Sequence, residues 1–155
     1  ADLDLAWHFV GQLQSNKAKA VRRYAAAVHS VDRVSLVDAL AGDSPLDVFM
    51  LRYNAAHPGA EREIFPHLSV RKPDVVAYTA TSWRKLLKAP KAWDGPAMTA
   101  GDCYRFCLSN PSVSVVLCGP SSRAQLDENL AAVEKGALTD DELTRFRAYG
   151  KVVHG

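Results

Sequence analysis

Five short apolar runs, each parted from the next by a stretch with helical periodicity, constrain this chain more than any other feature. The runs are LAWHFVG (5–11), VHSVD (28–32), LDVFMLRYN (46–54), DVVAYTAT (74–81) and VSVVLCG (113–119). Apolar runs of strand length that alternate with helices read as parallel strands joined by crossover helices. Such crossovers are right-handed and lay helices over the sheet. The last run is almost continuously apolar, the pattern of a strand covered on both faces. The expected fold class is therefore α/β, with about five parallel strands alternating with helices.

The helical stretches carry their own punctuation. SNKAKAVRRYAAA (15–27) reads as a helix with Ser15 as N-cap and Ala18, Val21 and Ala25 on one side. RVSLVDALA (33–41) is a second, and GDSP (42–45) is the clearest break in the first half. GAEREIFPHL (59–68) is a short helical stretch, whereas 82–98, with Trp83, Pro90, Trp93, Gly95 and Pro96, reads mostly as loop. TAGDCYRFCLSN (99–110) opens on Thr99 with Asp102 three residues on, and 139–154 opens on Thr139 with Glu142 in the same relation. Thr99 reads as an N-cap with Asp102 as an acidic first-turn residue, and Thr139 with Glu142 as a capping box. Between them SRAQLDENLAAVEKG (122–136) ends at Gly136. No repeat of fixed period is present.

Composition removes several function classes. The 155 residues suit one domain, 1–155, and 48% apolar with 23% charged residues is ordinary for a globular protein. Net charge is +2 without a basic run, so charge gives no support to a nucleic-acid or membrane-surface partner. No apolar stretch approaches the roughly 18 residues of a membrane span. The beginning, ADLDLAWHFVG, lacks the basic segment and long apolar core of a signal peptide. Cys103, Cys107 and Cys118 are odd in number, which points to free thiols, a reducing compartment and a cytoplasmic location. Cys103 and Cys107, four apart, read as small buried apolar residues rather than metal ligands. His8, His29, His57, His67 and His154 lack ligand spacing, so no metal site is expected. There is no Walker loop, no GxGxxG and no Gly-x-Ser-x-Gly elbow.

Two parts of the chain resemble two different families. WHFVGQLQSNK followed by HSVDR, within residues 5–40, resembles the pyridoxal-phosphate homeostasis proteins, whose barrel is like that of alanine racemase. DVFMLRYNAAHPGAE, VVAYTATSW, MTAGDCYRFCLSNPSVSVVLCGP and QLDENLAAVEKG, within residues 45–155, resemble the C-terminal part of aldo-keto reductases. The resemblances imply two strand–helix units of one (β/α)8 barrel followed by three of another, joined near Ala41–Pro45. They also imply a fusion of two barrel fragments, natural or made by design. Design is favoured because each source pattern runs so closely up to the junction.

The second resemblance implies a cofactor site for NADP. GPSSRAQLDEN puts Gly119 at a strand end and Ser121 and Ser122 at a helix start, where free N–H groups and the helix dipole favour an anion. Arg123 adds charge, Gln125 lies beside the nucleotide, Glu128 and Asn129 match the pair that faces the adenine, Tyr78 matches the residue that stacks on the nicotinamide, and Thr79 follows it. Set against this, Ser121 or Ser122 could simply cap the helix. Neither parent's catalytic set is matched, so no catalytic residue is assigned. The tyrosines are Tyr24, Tyr53, Tyr78, Tyr104 and Tyr149, and Tyr53 with Asn54 and His57 forms the best local cluster, read as lining or structural. Lys17, in the first turn of an amphipathic helix, reads as solvated and not as a pyridoxal-phosphate anchor.

A closed barrel of five strands is too narrow for its side chains, about eight being usual. Such a sheet either flattens into a flavodoxin-like array or stays curved as a half-barrel. A curved half leaves an apolar concave face, which a second copy would cover. The curved homodimer is the expectation. The expected function is a recombined barrel fragment without evolved catalysis that keeps some affinity for a phosphorylated small molecule at residues 119–129. The alternatives are an NADP-dependent reductase and a pyridoxal-phosphate binding module.

Overall fold

The computed structural model describes residues 6–29, 31, 34–41, 48–68 and 72–154. Five strands form one sheet: β1 (Trp7–Phe9), β2 (Ala25–Val28), β3 (Val48–Arg52), β4 (Asp74–Tyr78) and β5 (Val115–Val116). All four pairings are parallel and the spatial order is β1-β2-β3-β4-β5, the order of the chain. This order decides between the two forms open from the sequence. A flavodoxin-like sheet reverses direction after its first strands and so receives helices on both faces. Right-handed crossovers between strands that only advance put every helix on the same face, as in a barrel. The sheet is an unclosed part of a barrel, not a flattened doubly wound array.

The helices are α1 (Ser15–Val21), α2 (Val34–Ala41), α3 (Ala60–Glu63), α4 (Ala100–Leu108), α5 (Arg123–Val133) and α6 (Asp140–His154). Short 3-10 turns at Phe65–Leu68 and Lys85–Leu87 complete the elements. α1 packs on α2, α2 on the Phe65–Leu68 turn, and α4 on α5. The contact of the helices with the sheet is the core: Val28, Phe49, Leu51, Val75 and Ala77 are buried with Leu36, Leu40, Phe106 and Cys107. Cys103 and Cys107 are indeed buried, and burial pushes the Cys107 thiol up to about 12. The two capping boxes are present: Thr99 N donates to Asp102 Oδ2 at 2.9 Å with the return bond at 3.1 Å, and Thr139 N donates to Glu142 Oε2 at 2.8 Å with its return at 3.2 Å.

Toward β5 the other sheet face is open among the described residues. Met50 pairs with Val76 and Val76 with Val115, so these residues share the face turned from the helices. Met50 and Val76 are half-buried, and Val115 and Leu117 are each 46% exposed. Within the single chain the Val115 side of β5 is open, and the strand is only two residues long. β5 is an edge strand, and among the described residues no further strand pairs beyond it.

Two boundaries differ from the sequence reading. The helix expected over 15–27 ends at Val21, and Ala25–Ala27 belong to β2. Three alanines carry little preference against burial in a sheet, where Ala25, Ala27 and Val28 are all buried. Ser15 is the first helical residue and not the cap, a place taken by Gln14 without a side-chain bond. Its hydroxyl meets Ser35 Oγ at 3.1 Å and ties α1 to α2. The GDSP break, like the start of the strand expected at 46 and parts of those expected at 5–11 and 28–32, lies outside the described residues.

α6 locks the loops at the C-terminal ends of β3 and β4. The Tyr149 hydroxyl meets Leu86 O at 3.1 Å and Lys88 O at 2.9 Å. Arg147 forks onto Glu61 at 2.7 and 2.8 Å, and Arg105 of α4 reaches Glu142 at 3.1 Å. Among the described residues no helix is long and apolar enough to cross a membrane.

Candidate functional site

The C-terminal ends of β3, β4 and β5 open into two cavities, the end of an α/β sheet where ligands ordinarily bind. The turn after β4 divides them. Thr79, Ser82, Trp83 and Arg84 all have positive φ, between 49° and 69°. Such conformations are costly for residues with a side chain, persist only when the surroundings enforce them, and cluster at functional sites. Enforcement is visible. Ser82 N donates to Thr79 O at 2.8 Å, and the buried Asn54 donates from Nδ2 to the same carbonyl at 2.8 Å. Asn54 Oδ1 accepts from Ala56 N at 3.0 Å and His57 N at 2.9 Å, so one side chain fixes the loops after both strands.

The cavity on the β5 side has a volume of about 570 Å³. Thr79, Gly119, Ser121, Gln125, Glu128 and Asn129 line it, six of the nine residues expected at a cofactor site. The Gly119–Ser121 segment is held by Gln125, whose Oε1 accepts from both Ser121 N and Ser121 Oγ at 2.9 Å. Asn129 is 7% exposed, and its amide makes no hydrogen bond to a described residue, leaving a donor and an acceptor for the cavity. Arg84 supplies a cation and Cys118 an exposed thiol. Neither was found from the sequence. Arg84 reaches this wall only because of the left-handed turn, which no glycine or proline announces.

The other three expected residues lie elsewhere. Ser122 is the N-cap of α5, accepting from Gln125 N at 3.2 Å. Arg123 is largely exposed and pairs with Asp127 at 3.7 Å along the helix. Tyr78 lines the second cavity, of about 700 Å³, with Arg52, His57 and Trp83.

Tyr53 and Asn54 are structural. The Tyr53 hydroxyl donates to Glu61 Oε1 at 2.5 Å, and its ring packs on Phe65 and Phe106. Burial, then the bond to Glu61, raises its pKa well above the ordinary phenol, opposite to what a tyrosine acid needs. Of that cluster His57 borders the second cavity. Among the described residues no group of three or more His, Cys, Asp or Glu gathers to hold a metal ion.

No protein-family model matches the chain. By structure it is similar to an aldo-keto reductase of Bacillus halodurans, with a TM-score of 0.64 for the holo form and 0.63 for the apo form. Identity is 20% in both, over 79% of this chain and 49% of the reductase, so the likeness defines the fold: part of a (β/α)8 barrel. By sequence, the particular proteins it is similar to are pyridoxal phosphate homeostasis proteins. That of Pseudomonas aeruginosa is 38% identical over 77 residues, 44% of this chain and 34% of that protein. That of Aquifex aeolicus is 49% identical over 39 residues, 25% of this chain and 17% of that protein. The chain thus spans about a third or less of these curated relatives and about half of the reductase. Both resemblances read from the sequence are found, each as a partial match.

Proposed function

We propose that the chain is a fusion of two barrel fragments that folds as an open half-barrel, has no evolved catalysis, and binds a phosphate-bearing nucleotide of the NADP type in the β5-side cavity. Asn129 carries this reading: its side chain is more than nine-tenths buried, bonds to no described residue, and lines a cavity that also holds Arg84, Ser121 and the start of α5. Its amide atoms stay open to the cavity, so a ligand there can bond to them in place of water. Arg84 and the N–H groups at the start of α5 suit a phosphate, and Glu128 suits a ribose or adenine donor. The three free thiols support a cytoplasmic setting.

NADPH fluorescence and Cys118 alkylation together test this. Binding is expected with Kd on the order of 0.1–1 mM, weak because one wall of a reductase-type site has no counterpart here. Bound nucleotide should slow alkylation of Cys118, while Cys103 and Cys107 stay unreactive until unfolding. Asn129→Leu or Ser121→Asp should abolish both effects. Absence of saturation at millimolar NADPH sinks the reading. Aldehyde-dependent NADPH oxidation would favour the reductase alternative, and a dialysis-stable absorbance near 400 nm after addition of pyridoxal phosphate would favour the pyridoxal module.

The uncovered sheet face supports self-association. Val115, Leu117 and Trp7 are exposed at 46, 46 and 59%, and the partner always present at matching concentration is a second copy. Sedimentation should find a dimer that Val115→Lys with Leu117→Lys converts to monomer. A wild-type chain that stays monomeric at its highest soluble concentration removes this assembly.

A further inference from the structure

His8 and His29 are 21 residues apart, and the sheet sets their rings side by side. β1 and β2 are parallel neighbours, and the register slips by one residue between Trp7 and His8. The slip sets His8 opposite Ala27 instead of Ala26. His29 follows Ala27 by two positions, so the period of a strand turns it to the same side as Ala27. Its backbone N–H donates to Phe9 O at 2.9 Å, which fixes the chain beside His8. His8 Nδ1 then lies 3.2 Å from His29 Nε2, with ring centres 5.4 Å apart and planes inclined by 36°. His8 is exposed and His29 half-buried, so the pair is open to solvent at one ring and anchored at the other.

We propose that His8 and His29 bind a zinc ion in place of the proton they share, with water completing its tetrahedron. Imidazole nitrogen is the commonest protein ligand for a metal. At the usual zinc–nitrogen length of about 2.0–2.1 Å, a tetrahedral ion spaces its nitrogens roughly 3.3–3.4 Å apart, and a square-planar ion roughly 2.9 Å. The observed 3.2 Å is nearer the tetrahedral spacing, and the exposed His8 ring can turn to meet it. Two protein ligands are fewer than the three of a catalytic zinc site or the four of a structural one, so the ion exchanges. His57 and His154 do not offer the same pair: their rings stand edge-on at 89°, and His57 Nδ1 lies 3.2 Å from Asn54 Oδ1. β1 and β5 are the two ends of the sheet order, so the site is distinct from the nucleotide cavity beside β5.

Titration calorimetry of the intact chain with Zn2+ in a buffer without chelating groups tests it, with Mg2+ as the control. With half the ligands of a four-ligand site, Zn2+ is expected to bind with Kd on the order of 1–100 µM. Mg2+, which prefers oxygen ligands, should not bind measurably. His8→Ala and His29→Ala should each weaken Zn2+ about tenfold or more. His8 is exposed, so His8→Ala decides the matter even where His29→Ala disturbs the sheet. Cys118→Ser and His154→Ala, which remove other ligand types, should keep the affinity within about twofold. Co2+ in place of Zn2+ should give the strong visible absorption of a tetrahedral ion, and His8→Ala should lose it. No saturable Zn2+ binding at about 1 mM, wild-type affinity in His8→Ala, loss of binding in Cys118→Ser, or the weak absorption of octahedral Co2+ would each overturn it.

Discussion

Gly150→Ala is expected to destabilise the chain by roughly 3 kcal/mol, at the upper end of what overpacking a core costs. Gly150 lies in the interior of α6, where a glycine is itself unfavourable by up to about 1 kcal/mol relative to alanine. Its presence is explained by what lies opposite. A Cβ there would overlap the Ala55 carbonyl and crowd Ala56 N. Those atoms are backbone, and Ala56 N is tied to Asn54 Oδ1, so the loop cannot swing aside as a side chain would. α6 must instead lift from the loop after β3, which strains the Tyr149 bonds to Leu86 and Lys88. For a chain of this size each kcal/mol moves the melting temperature by about 2–4 °C, so the midpoint should fall by about 10 °C. Gly59→Ala is the control. Its Cβ meets only the end of the Glu63 side chain, at 3.7 Å, in a helical conformation. That variant should be neutral or stabilised by about 0.4–1 kcal/mol, through the unfolded chain. Equal thermal melts for the two variants would show that the contact of α6 with the loop is loose.

The contrast between these glycines marks what was legible in the sequence. Strand and helix alternation was legible because apolar runs of strand length and capping residues such as Thr99 and Thr139 act locally. The consecutive strand order was not, since nothing in the segments says which edge each new strand joins. The boundary between α1 and β2 was blurred by Ala25, Ala26 and Ala27, whose small side chains suit either element. The cofactor-type wall was legible in part. Gly119, Ser121, Gln125, Glu128 and Asn129 follow one another along the chain, so their gathering needs only a strand, a turn and a helix. Arg84 joins them from a distant turn held left-handed by Asn54, a placement that depends on a long-range bond no local pattern encodes. Tyr78 ends β4 opposite Arg52 and lines the other cavity with it. The apolarity of VSVVLCG suits a closed barrel and says nothing of what covers its concave side in an open one.

Removing the Glu61 carboxylate should produce the largest loss attributable to a polar group. Glu61 accepts from the Tyr53 hydroxyl and from both terminal nitrogens of Arg147, joining the end of β3, α3 and α6. The Arg147 guanidinium lies 5.5 Å from the Phe106 ring centre, and Asn110 donates weakly to the Tyr53 oxygen at 3.4 Å. Glu61→Ala leaves the Tyr53 hydroxyl, in a residue 1% exposed, without its acceptor. Charge-assisted bonds contribute about 1.5–3 kcal/mol. Arg147 is 42% exposed at its side chain, so water screens its share, and a loss of about 2 kcal/mol is expected. Tyr53→Phe should cost about 1 kcal/mol, and the double variant less than the sum, because the two groups share one bond. The pH dependence has a defined sign. Burial raises the Glu61 pKa, but the bonds from Arg147 and Tyr53 and the Arg147 charge outweigh it, leaving the carboxyl below its ordinary 4.5. The stabilisation is therefore present above pH 4.5 and lost as pH falls through the lower folded value. The Tyr53 phenol is shifted upward, so its contribution holds below its ordinary 10 and fades as pH rises beyond that. Wild type should lose stability on acidification below about pH 4.5, and Glu61→Gln should flatten that limb without abolishing it, because Glu142 is also held low, by its bonds to Thr139 and Arg105. Urea unfolding at a series of pH values reads both limbs. An acid limb identical in wild type and Glu61→Gln would mean that Arg147 and Tyr53 do not hold the carboxylate in solution.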